Sequence, residues 1–136
     1  MLHTPSIQEL RSTRANLLAF RVTGRVTRDD YAAMGERVLA VFDGRDDTVD
    51  MLLHFDAFEG AEPFAGLSYP AIASRLRALK RVGAYVVAEA PEAAADMVET
   101  FGTLLPVDTQ SFDDVRDAWA FLDSDPASDA SAIPAT

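Results

Sequence analysis

The sequence contains no cysteine, which removes disulfide frameworks, thiolate zinc sites and thiol nucleophiles together and agrees with a reducing compartment. It is short of base as well, with 12 Lys and Arg against 22 Asp and Glu and a formal charge of -10. Such a balance repels phosphate backbones and argues against nucleic-acid binding. No apolar run approaches a membrane span, and the opening MLHTPSIQEL lacks the basic-then-apolar pattern of a signal peptide. These absences predict a cytoplasmic protein with no integral membrane segment. Motifs that cradle phosphate or present a nucleophile are missing too: no P-loop, G-x-G-x-x-G or G-x-S-x-G occurs.

What is present suits a single domain, since 136 residues can bury a core without a staple. The domain is expected over residues 1–123, followed by a disordered acidic tail, SDPASDASAIPAT, at 124–136, whose composition cannot bury a core. Leu18, Phe20 and Val22 alternate with polar or smaller neighbours after SIQEL, and the short polar RSTRAN between them predicts an opening β-hairpin. Thr27 with Asp29 and Asp30 reads as a cap plus acids in a first turn. Tyr31, Met34, Val38, Val41 and Phe42 then recur at helical spacing up to Asp43-Gly44.

VDMLLHF and VGAYVVAEA are near-continuous apolar runs of the kind buried on both faces of a sheet, and VDTQSF is a short fifth strand. Between the first two, Ile72, Leu76 and Leu79 mark a helical face. Pro63 and Pro70 impose a short turn, then a break near Ser68, before the main helix. A further helix is expected from Pro91 with Met97, Val98 and Phe101 inward and Gly102 ending it. Ser111 is expected to cap the last helix, striped by Val115, Ala118, Trp119 and Leu122. The order is ββαβαβαβα, an α/β single domain with a mixed five-stranded sheet, four main helices and right-handed crossovers. Tyr31, Phe42, Phe101 and Trp119 belong to its core.

That order, together with AFRVTGRVTRDDY, LLHFDAFEG, the basic-apolar helix before VGAYVVAEAPE and the late SFDDVRDAWAFL, resembles the SpoIIAA-like family of the STAS and CRAL-TRIO-like superfamily over residues 7–122. The resemblance implies a compact, commonly dimeric α/β domain with a non-enzymatic role. One branch implies a partner-binding switch phosphorylated on a Ser at the start of the helix after the third strand. Another implies a small carrier with an apolar cavity that binds lipid. The stretch DAFEGAEPFAG, from Asp56 to Gly66, holds no Ser or Thr, so the acceptor of the switch is missing; Ser68 is the nearest hydroxyl and sits where a cap before Pro70 is wanted.

His54, Asp56 and Glu59 are the residue types of metal and acid-base sites. The only other His is His3, near an end expected to fray. The expected reading is therefore the end of the third strand and a turn into a lid-like segment, with no catalytic residue, metal or cofactor. Phe55, Phe58, Phe64, Leu67 and Tyr69 are more apolar than a surface connection requires, and ligands of α/β sheets sit beyond the carboxyl ends of the strands. They are candidate pocket residues, with Arg75 or Lys80, from the basic group Arg75, Arg77, Lys80 and Arg81, as a polar end. The expectation is a homodimer that binds an apolar or amphipathic small molecule and catalyses nothing. The alternative is a STAS-type module that binds a protein partner.

Overall fold

The computed structural model describes residues 1–61, 82–95, 98–99 and 107–124. Its sheet has five strands in strictly sequential order: β1 (Ile7–Leu10), β2 (Leu17–Val26), β3 (Val49–Ala61), β4 (Val82–Ala88) and β5 (Thr109–Phe112). β1 and β2 form the antiparallel hairpin, with Ile7 opposite Val22 and Leu10 opposite Ala19. The remaining pairs are parallel. The mixed five-stranded α/β architecture is thus as the sequence implies.

Two helices lie within the described residues, α1 (Arg28–Asp43) and α2 (Val115–Phe121). The helix expected after Ser68 lies outside them. The one expected from Pro91 opens with a 3-10 turn, Glu92–Ala94, after which Ala95, Val98 and Glu99 are helical and Val98 packs against the core as expected, while Met97 and Phe101 are also outside. The order of four helices is therefore not matched beyond α1 and α2. Ser111 is not a cap: it belongs to β5, and Asp114 caps α2 by accepting from the Arg116 N–H at 2.8 Å. The pairing of β5 with β4 runs through Ser111 to Phe112, so Ser111 is still in the ladder and the cap falls to Asp114.

α1 forms where capping and periodicity agree. Thr27 Oγ1 accepts from the Asp30 N–H and Asp30 Oδ2 from the Thr27 N–H, both at 3.1 Å, a reciprocal capping box. Tyr31, Met34, Val38 and Phe42 are buried against Phe20, Val22, Met51, Leu53 and Tyr85, so one face of the sheet carries the larger core. The other face carries the smaller one, where Ala118, Trp119 and Leu122 of α2 cover Leu17, Ala19, Leu52, Val86 and Ala88. Each fully buried large side chain contributes roughly 1.5–3 kcal/mol. The chain end of α2 is tied to the hairpin loop: Arg14 donates to the Leu122 carbonyl at 2.5 Å and pairs with Asp50 at 2.9 Å. Ser124, placed by composition at the start of the tail, is buried and 3.1 Å from the Thr13 hydroxyl; residues 125–136 lie outside the described residues.

Two features depart from expectation. The N-terminus does not fray: residues 2–4 fold back along the outer side of β1. There the Glu9 N–H donates to the Leu2 carbonyl at 2.9 Å, the Thr4 N–H to Ile7 at 2.8 Å, and His3 bridges Gln8. The expected turn at Asp56–Gly60 is strand, and β3 continues to Ala61. β3 spends one more residue than β2 between the Val22–Phe55 and Gly24–Phe58 pairs, and another before Arg25–Gly60. The D-x-F-E-G string reads as a turn because these residues do bend the chain, as β-bulges.

Candidate functional site

The parallel strands present their carboxyl ends at one edge, where β3 and β4 finish in unusual backbone. Ala57 and Glu89 have φ of 55° and 56°, left-handed conformations that cost roughly 1–3 kcal/mol each unless the surroundings hold them. Ala57 is the extra residue of the first bulge. Successive residues of a strand normally face opposite sides, so Phe55 and Phe58, three apart, would be separated by the sheet. The extra residue brings them together, with rings in edge-to-face contact at 5.2 Å and 86°. Phe55 is buried and Phe58 partly buried against the larger core.

Glu89 is held from three sides. Its N–H donates to the Phe112 carbonyl at 2.8 Å, one carboxylate oxygen accepts from the Val115 N–H at 2.8 Å, and the other lies 3.3 Å from His54 Nε2. The Val115 hydrogen bond holds the carboxyl below its ordinary value against the opposing effect of burial, and His54 adds to it. Beside this pair Asp56 meets Arg21 Nε at 3.4 Å, both half exposed. Arg21, His54, Ala88 and Phe112 occupy one row across four strands, which is why a histidine, an arginine and two acids gather here.

The structure therefore brings together Phe55 with Phe58, and separates the trio His54, Asp56 and Glu59. His54 goes to Glu89 and Asp56 to Arg21, while Glu59 is exposed. Among the described residues no group of three or more His, Asp and Glu is placed to hold a metal ion. A carboxylate on one imidazole nitrogen can orient the ring for proton transfer; His54 has Glu89 as its hydrogen-bond partner among the described residues. Phe64, Leu67, Tyr69, Arg75 and Lys80 lie outside the described residues. Phe55, the end of the expected third strand, and Phe58, expected in the turn after it, are both strand residues.

Glu89 and Arg21 are absent from the sequence-derived site. Glu89 carries the same signal as His54, a polar residue ending a buried apolar run, but only the pairing of β3 with β4 makes the two partners. A cleft of about 300 Å³ lies at the opposite end of the sheet, floored by Leu17, Leu18 and Val49 and flanked by Arg37 and Arg45.

A family model described as SpoIIAA-like matches residues 17–123. The chain belongs to the SpoIIAA-like family. The match begins at β2, so β1 and the folded-back arm precede it. The fold is also similar to the crystal structure of an uncharacterized protein from the DUF3478 family with a SpoIIAA-like fold from Shewanella loihica PV-4. That similarity has a TM-score of 0.57 and 19% identity, over 90% of this chain and 98% of that one. No curated protein matches. No helix among the described residues is long and apolar enough to cross a membrane.

Proposed function

We propose that this SpoIIAA-like domain is a non-enzymatic cytoplasmic homodimer that holds an apolar or amphipathic small molecule, a lipid in particular, beyond the carboxyl ends of its strands. The observation that carries this reading is the aromatic step made by the bulge of β3. Phe58 rests on Phe55 and keeps part of its surface uncovered by the larger core. The sequence then supplies Phe64, Leu67 and Tyr69 as further walls and Arg75 or Lys80 as a polar end. Affinity comes from apolar burial, at roughly 25 cal/mol per Å² before the costs of association. Sequestration is the mechanism, and His54 with Glu89 serves to fasten β3, β4 and α2 together.

The test is native mass spectrometry of the gently purified protein, with solvent extraction and lipid analysis of what stays bound. A dimer carrying a defined amphiphile is expected, and Phe64→Asp should release it while the far-ultraviolet circular dichroism is kept. An empty protein that also fails to take up a fluorescent fatty acid would sink the carrier reading. Equal lipid retention by folded Phe64→Asp removes the lid.

The second reading is a protein-interaction module. Family membership favours it, and the absence of Ser and Thr between Asp56 and Gly66 removes one phosphoswitch without removing a partner. It predicts a specific protein complex and no co-purifying lipid.

A further inference from the structure

The two margins of the sheet are finished differently. Along β1 the arm of residues 2–4 takes up the outward-facing backbone groups. β5 is the other margin, and among the described residues no strand pairs with its outer side. Phe112 turns its carbonyl inward to the Glu89 N–H. Because backbone direction alternates along a strand, Thr109 and Ser111 turn theirs outward. The strand carries no Lys, Pro or inward-pointing charge, three of the devices that keep an edge from pairing.

Beside this edge lies an aromatic pair. Phe121 of α2 is 52% exposed, and its ring meets that of Phe112, itself partly exposed, at 5.4 Å. Charge singles out the same region. Between Asp108 and Ser124 the sequence has five acids and a single base, Arg116. That base is already engaged by Asp114, whose carboxyl it pulls down to about 2. Asp108, Asp113 and Asp117 are exposed around β5 and the first turn of α2.

We propose that the outer edge of β5 is a docking site for an extended, basic segment of a partner protein. The segment adds to the sheet as a sixth strand. Its backbone pairs with Thr109 and Ser111, an apolar side chain rests on Phe112 and Phe121, and Lys or Arg residues on either side meet Asp108, Asp113 and Asp117. Strand addition draws affinity from main-chain hydrogen bonds and specificity from alternate side chains, and the acidic surround speeds encounter with a basic segment. The proposal builds on the interaction-module reading by naming the surface and the partner's chemistry.

The test uses a short peptide of alternating Lys and Val, and its Glu-Val counterpart, titrated into the full chain at physiological salt and followed by backbone amide shifts. The Lys-Val peptide should saturate, with the largest shifts on Thr109, Ser111 and α2, and the Glu-Val peptide should leave them still. Ser111→Pro deletes an outward N–H and should weaken binding by about tenfold or more; Phe121→Ser, at an exposed position, should weaken it several-fold with the fold intact. Unchanged binding in folded Phe121→Ser and Ser111→Pro, or the absence of any shift, overturns the proposal. Shifts that map to another face overturn it too, while leaving an interaction module that works elsewhere. Self-association that Ser111→Pro abolishes would assign the edge to a second copy of this chain and overturn the basic-partner proposal.

Discussion

The β1 and β5 margins are built from strands of the same length, four residues each, yet one is closed by the protein's own chain and, among the described residues, the other is not. The closing of β1 rests on two charged groups reaching across from α1. Ser6 donates to Asp30 Oδ2 at 2.7 Å, so the carboxylate that completes the capping box also fixes the arm. Glu9 accepts from Arg37 of α1 at 2.7 and 3.1 Å and from the Leu2 N–H at 2.9 Å. In both, burial pushes the carboxyl up and is outweighed. Ser6, Thr27 and Thr4 hold Asp30 below its ordinary value of 3.8; Arg37 and Leu2 hold Glu9 below 4.5. Asp108, Asp113 and Asp117 flank β5, but they are exposed, and no described residue ties them across its outer side. A covered edge here means buried, paired charge, whereas the open one is ringed by solvated charge.

Breaking the covered side should produce the largest effects. Asp30→Ala removes the capping box and leaves the buried Ser6 hydroxyl without this acceptor, and should cost about 2–3 kcal/mol in chemical denaturation. The same carboxyl sets a pH dependence. Its folded-state pKa is depressed, as is that of Glu9. The stability each contributes is therefore fully present above its ordinary value and is lost as pH falls through the folded value. Denaturation midpoints should stay level from neutrality down to about pH 5 and fall below it, and in an Asp30→Asn, Glu9→Gln double variant the fall should be shallower.

Glu9→Gln alone should cost about 1–2 kcal/mol, since its carboxylate is nearly buried while Arg37 is 36% exposed and keeps part of its hydration. Its clearest sign should be faster hydrogen exchange at the Thr4 and Glu9 amides, with the centre of β3 unchanged. Ser111→Pro on the open side should shift stability by only ~0.5–1 kcal/mol, because the lost N–H faces outward and an edge strand tolerates proline. A loss as large as that of Asp30→Ala would show that β5 is closed in its own way, and the contrast between the margins would fall.

The sequence carried the parts of this fold that depend on local patterning. Alternation at Leu18, Phe20 and Val22 marked β2, the Thr27 cap marked the start of α1, and apolar runs marked β3 and β4, because each signal is written within a few residues. The arm had no such mark: MLHTP has no period, and its order comes from Asp30 and Arg37, more than twenty positions away. The bulges of β3 were hidden for a related reason, since the residues that bend a strand are those that end one. At the candidate site His54 and Asp56 stood out by residue type. Their partners Glu89 and Arg21 did not, because strand register decides which polar ends become neighbours.

The strictly sequential strand order has a consequence for how the chain is made. Each strand lies beside the one synthesised just before it, so the sheet can grow in one direction as the polypeptide leaves the ribosome, with no early strand waiting for a late one to be inserted at its side. The arm and β1 emerge before β2 and α1, which fasten them. The growing margin is the most recently made strand, and of the five described strands that is β5.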